Sequence, residues 1–314
     1  MEGEATKQLS NNQDGYIPLK FMRGSQFPVY MAGSPESDEP RVMKIFDNND
    51  PKAHDAYMND SKFCWLKHDN IIRYDGYGRS ITDFRCDEPI NCSFILMELA
   101  SYGDFTDLMK IGHIFNDKKL VRTYFHQLIE GIEYLHAEGV AHLDLKTDNL
   151  LLCENFILKI CDFDRAYSVK EGKIRSRGTA HYRAPEIKNG GCKDPRKADV
   201  FSAGVIAFLM LCNRLPFLED KKIEGVYFED ALFKGSDMEE FFKLHQDIQT
   251  FDTIDPDFAE LFWGMTRMDE KERFSLEQVK ESTWYKEEIY TNEELLEVMQ
   301  ENSQYFKNPG EDEE

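Results

Sequence analysis

A chain of 314 residues is more than one hydrophobic core usually organises, so two lobes are expected. A net charge of −21 disfavours nucleic acid and anionic membrane as partners, and no apolar run is as long as a membrane span. Seven scattered cysteines without a C-x-x-C pair, behind a start (Met1 to Glu4) unlike a signal peptide, argue against a disulfide framework or zinc site and suggest a cytoplasmic protein.

In chain order, residues 1–14 are polar and unpatterned and read as a disordered tail. Strand-like pieces follow at Tyr16 to Met22, Val29 to Ala32 and Arg41 to Phe46, with Gly33 to Pro40 as a polar turn between the last two. A helix is expected at 51–67 and two more strands near 71–78 and 93–99, giving a small antiparallel lobe over residues 15–100. After Ser101-Tyr102-Gly103 the pattern turns helical. Asp117 to Glu138 carries Val121, Tyr124, Phe125, Leu128, Ile132 and Leu135 on one stripe and stops at Gly139. Lys197 to Cys212 is apolar almost all round, the mark of a helix buried mid-lobe. Further helices near 236–245, 256–267 and 275–282 complete a larger lobe over 101–288, and 289–314 reads as a helix (291–304) with an acidic tail.

One stretch concentrates the chemistry: His142-Leu143-Asp144-Leu145-Lys146-Thr147-Asp148-Asn149, then Leu150-Leu151-Leu152, and beyond a second short strand Asp162-Phe163-Asp164. Two strands joined by a turn would hold Asn149 at the start of the hairpin and Asp162 at its end. That is a geometry for gripping a metal ion and the phosphates it neutralises. Alone, each Asp or Asn would more often cap a loop. Their concentration at two strand ends favours the functional reading.

This stretch resembles the catalytic and metal loops of the protein-kinase family, H-R-D-L-x-x-x-N and D-F-G, with Leu143 in place of Arg and Asp164 in place of Gly. Further marks follow in order. Gly178 to Glu186 resembles the segment that closes the activation loop, Asp199 to Gly204 the start of the central helix, and Arg273 the partner of Glu186. The flavour is similar to calmodulin-dependent-type serine/threonine kinases. The resemblance implies an α+β, bilobal fold, with ATP and Mg2+ bound between a β lobe carrying one helix and a mainly helical lobe. By the same resemblance Asp144 would act on the substrate hydroxyl and Lys146 on the transferring phosphoryl, with Asn149 and Asp162 as metal ligands. Lys44 would meet the α- and β-phosphates. Val29 and Val42 above and Leu151 below would enclose adenine, with Met97 behind it and Glu98 and Ala100 at the hinge. Gly24 would belong to the glycine-rich loop, and Asp104 would meet the ribose or a basic substrate residue.

The departures fall mainly before residue 100. Aligning Val29 with the family's valine puts Met22, Gly24 and Phe27 at the three glycine positions, followed by Pro28, which has no N–H. One or two lost hydrogen bonds to phosphate would weaken nucleotide binding by very roughly 10- to 10⁴-fold. The helix glutamate that should pair with Lys44 falls on Asn59, with Asp55 and Asp60 as alternatives. His142 is expected to be structural, stacked on Phe163. Leu143 removes the arginine that binds a loop phosphate in many relatives, so activity should not need phosphorylation of Ser168 or Ser176. Asp164 could survive in a flexing loop because Asp tolerates unusual backbone angles.

These features lead to an active ATP-dependent serine/threonine protein kinase, monomeric, acting on a protein substrate with basic residues near the target hydroxyl. The alternative is a pseudokinase working as a scaffold or allosteric regulator. A small-molecule kinase comes third, because the Thr179 to Glu186 segment shapes a peptide groove in relatives.

Overall fold

The computed structural model describes residues 15–22, 26–83, 90–170, 172, 174, 178–216, 222–223, 226–227, 238–239, 241–242 and 254–306. A five-stranded antiparallel sheet comes first, in the order β1 (Ile17–Met22), β2 (Val29–Ser34), β3 (Ser37–Asp47), β5 (Ile90–Glu98), β4 (Tyr74–Asp83). The turn expected over Gly33 to Pro40 is in fact only Pro35-Glu36, because β2 runs on to Ser34, which pairs with Ser37. Ser37 to Pro40 are polar but can continue the strand, since its outer end is mostly exposed and needs no apolar pattern.

As the middle strand, β3 is buried on both faces, and five residues in a row, Val42 to Phe46, are enclosed. Met43 and Ile45 pack with Tyr16, Ala32, Phe94 and Leu96 on one side. Phe46 packs on the other with Phe27, Tyr57 and the alanines of α1 (Pro51–Asp60). Alternation along the strand puts Lys44 on the α1 side with Val42 and Phe46. Helix α1 starts at an Asp50 cap with Pro51 in the first turn. It ends earlier than the expected residue 67: past Asp60 the chain tightens into a 3₁₀ turn at Ser61–Phe63. Asn59, Asp60 and Ser61 are weak helix formers, so little propensity resists that change.

The larger lobe is helical. It contains α2 (Phe105–Lys110), α3 (Lys118–Ala137), α4 (Pro185–Asn189), α5 (Pro195–Cys212), α6 (Pro256–Met265), α7 (Leu276–Glu281), α8 (Thr283–Lys286) and α9 (Asn292–Asn302). Asp117 caps α3 through the Lys119 and Leu120 N–H groups, and the expected stripe on α3 is fully buried. As its all-round apolarity requires, α5 runs through the core, and Asn213 ends it in the left-handed conformation. The helix expected near 236–245 lies mostly outside the described residues. A short antiparallel pair, Lys222–Ile223 with Val226–Tyr227, lies between α5 and α6 in sequence. Helix α9, opened by a Thr291–Glu294 capping box, buries Leu295 and Met299 on the lobe. Beyond it Phe306 packs on Tyr102 and Phe156 with ring centroids 5.7 and 5.8 Å away. Among the described residues no helix is long and apolar enough to cross a membrane.

Candidate active site

The expected hairpin is present. The strands β7 (Leu150–Leu152) and β8 (Leu158–Ile160) pair antiparallel with Leu150 opposite Ile160, which brings Asn149 and Asp162 to the same end. Before it, β6 (Val140–Ala141) pairs with β9 (Tyr167–Ser168). Between β6 and β7 the loop is fixed from below by Asp199 of α5, which is completely buried. Its carboxylate accepts the His142 N–H at 2.8 Å, the Leu143 N–H at 2.8 Å and His136 Nε2 at 2.9 Å. These bonds hold Leu143 at φ 61°. A branched residue pays strain in the left-handed region, and such strain survives only where several contacts enforce it. His142 is structural, as expected: Nε2 donates to the Cys161 carbonyl at 2.9 Å and the ring lies 5.0 Å from Phe163.

Asp144 is 5% exposed and takes two hydrogen bonds on one oxygen, from Thr179 N at 2.6 Å and Thr179 Oγ1 at 2.7 Å. This contact depends on Gly178, at φ 65°, where a Cβ would lie 2.5 Å from the Leu143 carbonyl oxygen. The second oxygen, Oδ2, faces Arg165 Nε at 3.6 Å. Arg165 also stands 3.7 Å from Asp164 Oδ1 and donates through Nη2 to Gln26 Oε1 at 3.3 Å, joining the two lobes across the cleft. The Asn149 amide nitrogen donates to the Asp144 carbonyl at 2.9 Å. That leaves its oxygen as the atom available to a cation.

Lys44 settles the question left open by the sequence. Its Nζ donates to Asp60 Oδ2 at 3.0 Å and to Asp162 Oδ1 at 2.7 Å, so Asp60, not Asn59, is the helix partner. Asp60 Oδ1 also accepts Tyr74 OH at 3.0 Å and the Phe163 N–H at 3.3 Å. Burial opposes the Lys44 charge, but Asp162 and Asp60 outweigh it and raise its pKa. Burial likewise pushes Asp162 up, yet Lys44, with His142 and Lys146, holds its carboxyl below the ordinary value. Asp162 itself lies at φ 67°, a second strained residue in the site.

Asn59 does look inward, but to another end. Its Nδ2 faces the carbonyls of Asp164 at 2.8 Å, Ala166 at 3.1 Å and Phe163 at 3.3 Å. Asp164 takes an ordinary backbone conformation, so the expected tolerance of unusual angles is not called upon; the left-handed residue of the loop is Asp162. Burial and the neighbouring Asp162 push the Asp164 carboxyl up to about 7.

The other expected site residues are distributed as follows. Val42 and Ala100 are buried and Leu151 half-buried, with Met97 and Leu151 packed against the cluster of Ile72, Ala100 and Cys153. Val29 lies opposite Lys44 in the sheet. At the expected hinge the Glu98 N–H is taken by the Arg73 carbonyl at 3.0 Å, so that donor is not open to a base. Asp104 caps α2, accepting the Asp107 N–H at 2.9 Å. Gly24 lies outside the described residues. Phe27, at the third glycine position, is buried, with its ring 5.0 Å from Phe46 and Lys44 Nζ 5.6 Å above it. The sequence alone assigned no partner to Asn59 and placed Thr179 only within the segment that closes the activation loop. The one signal for Asn59 was its place on the inward stripe with Phe63 and Leu66. An amide oxygen and a carboxylate at one strand end, beside a buried ammonium, are hard-oxygen ligands of the kind Mg2+ and phosphate take together, so the residues fit both groups.

Away from the cleft, Arg273 is almost fully buried and grips Glu186 with two bonds, 2.5 and 2.9 Å, as expected.

Several known proteins resemble this chain in sequence. CBL-interacting protein kinase 11 of rice is 32% identical over 216 residues, 67% of this chain and 40% of the relative. The serine/threonine-protein kinase GIN4 of Saccharomyces cerevisiae is 36% identical over 157 residues, 49% of this chain and 13% of the relative. CBL-interacting protein kinase 26 of rice is 33% identical over 205 residues, 63% of this chain and 38% of the relative. Matched regions thus span less than half the length of each of these relatives. A family model described as the protein kinase domain matches residues 23–285, from just past β1 to within α8. With most of its length matched in this way, the chain belongs to the protein kinase family.

Proposed function

We infer that this chain is an ATP-dependent serine/threonine protein kinase that moves the γ-phosphoryl group to a protein hydroxyl. The observation that carries this reading is the Lys44–Asp60 pair at 3.0 Å. The glutamate position is lost to Asn59, yet the buried ammonium keeps a carboxylate from the same helix and another from the metal loop. A scaffold gains nothing from a buried lysine, which is costly unless paired and useful.

In the proposed reaction the substrate hydroxyl oxygen bonds to the γ-phosphorus as the bond to the β–γ bridging oxygen breaks, and the hydroxyl proton passes toward Asp144. Thr179 holds one oxygen of Asp144 with two hydrogen bonds and so sets the direction of the other. Lys146 offsets charge growing on the transferring group, and Lys44 orients the α- and β-phosphates. Asn149 and Asp162 would hold Mg2+, which neutralises phosphate charge when bound. Val29, Val42, Met97, Ala100 and Leu151 would enclose adenine, and Asp104 would meet the ribose or a basic substrate residue. The charge of −21 favours basic residues beside the target hydroxyl, and a monomer acting in the cytoplasm is the simplest setting.

A second reading, a pseudokinase acting as scaffold or allosteric regulator, draws on Phe27, whose ring is buried where close phosphate approach favours glycine. The two separate in a Mg2+-dependent transfer of labelled phosphate to a basic protein. Wild type should transfer, and Asp162→Asn and Lys44→Met should each lose at least about 100-fold, the lower range for removing a positioned catalytic group. Equal signal from all three would mean a contaminant and return the chain to the scaffold reading.

A further inference from the structure

Asn59 stands where the sequence pattern places the lysine's partner, yet the Lys44 ammonium bonds to Asp60 and Asp162 instead. Its amide nitrogen lies within hydrogen-bond distance of three backbone carbonyls of the metal loop: Asp164 (2.8 Å), Ala166 (3.1 Å) and Phe163 (3.3 Å). The side chain is 2% exposed, so water does not supply these bonds. The amide orientation is fixed by its surroundings, because the reversed amide would turn its oxygen on three carbonyl oxygens. Phe163 O already accepts the Ala166 N–H at 3.1 Å, so the two amide hydrogens go mainly to Asp164 and Ala166.

Directly beside it, Asp60 accepts the Phe163 N–H at 3.3 Å. Two consecutive residues of α1 therefore clasp one short turn, the asparagine by its carbonyls and the aspartate by an amide. That turn begins at Asp162, whose φ of 67° persists only if neighbouring contacts over-determine it.

We propose that Asn59 is a positioning residue for the metal loop: it ties α1 to residues 163–166 and so keeps Asp162 in its strained, ligand-presenting conformation. Of the two neighbouring residues at the end of α1, Asp60 serves the lysine and Asn59 supplies the clasp. The inference rests on the kinase reading for its consequence in turnover, but its structural content concerns metal-dependent nucleotide binding alone.

The test compares wild type with Asn59→Leu, which keeps the shape and removes both donors. Nucleotide affinity is measured with and without Mg2+ by titration, alongside kcat, peptide KM and thermal midpoint. The clasp predicts that affinity without Mg2+ is unchanged, that the tightening given by Mg2+ falls about tenfold, and that kcat falls at least tenfold with peptide KM unchanged. A variant that melts earlier yet keeps the Mg2+ tightening and kcat of wild type overturns the proposal, since asparagine would then be filling space. Should Asn59→Leu fold too poorly to assay, Asn59→Ser, with one shorter donor, takes its place under the same two outcomes. A wild type that binds nucleotide more tightly with Mg2+ but transfers no phosphate sinks the kinase reading and leaves the clasp to be decided by binding. A wild type whose nucleotide affinity ignores Mg2+ overturns both.

Discussion

On the large-lobe wall of the cleft, Asp144, Lys146, Asn149 and Asp162 keep the spacing of the family's motifs. On the small-lobe wall, Met22, Phe27, Pro28 and Asn59 stand where glycines, a donor N–H and a glutamate are expected. Under the proposed reading, the difference follows from what each wall would do. A proton acceptor and metal ligands act through particular atoms at particular places, and a neighbour cannot supply them. The small-lobe wall mainly contributes charge neutralisation and backbone donors, which several arrangements can provide. Lys44 shows this directly: its partner has moved one residue along α1, from position 59 to Asp60, and the ion pair remains at 3.0 Å.

The sharpest way to break the comparison is to remove the displaced partner. Asp60→Ala leaves Lys44, 5% exposed, with Asp162 alone, and strips Tyr74 OH and the Phe163 N–H of their acceptor. Breaking a buried pair from one side should lower stability by roughly 3 kcal/mol and raise the ATP KM, both measurable by denaturant titration and steady-state kinetics. Asp60→Glu should recover part of each. If Asp60→Ala matched wild type in both measurements, the small-lobe wall would carry no charge requirement at all.

A narrower effect is expected where the two walls meet. Asp164 has a carboxyl pushed up to about 7 by burial and Asp162, against an unfolded value near 3.8. The folded chain therefore binds a proton there over pH 4–7 that the unfolded chain has released. The carboxyl costs nothing below about pH 4, costs progressively more as pH rises, and reaches its full cost above about 7. In metal-free protein with chelator, Asp164→Asn should thus be more stable than wild type by roughly 4 kcal/mol at pH 8, with the gap closing toward pH 4. A gap of constant size across that range would show that the carboxyl is not held neutral by the fold.

Legibility in the sequence divides along the same line. Helix α3 and the buried α5 were plain because a 3.6-residue apolar period and an all-round apolar run have few other solutions. The hairpin that brings Asn149 and Asp162 together was plain because its polar residues sit at the ends of short apolar strands. Ser37 to Pro40 were missed as strand because an exposed strand end carries no burial signal. Asp60 could not be preferred to Asn59 by counting, since the count assumes that α1 continues. The chain instead tightens at Ser61, and a 3₁₀ turn advances about 120° per residue against 100° in the helix, so faces shift at that point. The docking of α9 had only Leu295 and Met299 to announce it, too few to name the surface they cover.

The smallest expected effect concerns the activation segment, and its smallness is the point. Leu143 occupies the place of a phosphate-binding arginine, and its side chain is buried in the large-lobe core. A phosphate arriving nearby would find apolar surface there, not a guanidinium. The start of the segment is ordered without one: Val140 and Ala141 pair with Ser168 and Tyr167, and the Val169 N–H donates to the Gly139 carbonyl at 3.0 Å. Its end is ordered too, by the two bonds from Thr179 to Asp144. Ser168 already accepts the Lys170 N–H on its hydroxyl at 3.3 Å, and Ser176 lies outside the described residues. Replacing both serines with alanine should therefore change kcat/KM by no more than about twofold, under roughly 0.5 kcal/mol of transition-state stabilisation. Loss of all transfer in the double variant would show that a phosphate assembles the segment after all. In that case the large-lobe wall would depend on a modification that its own sequence has no arginine at this position to receive.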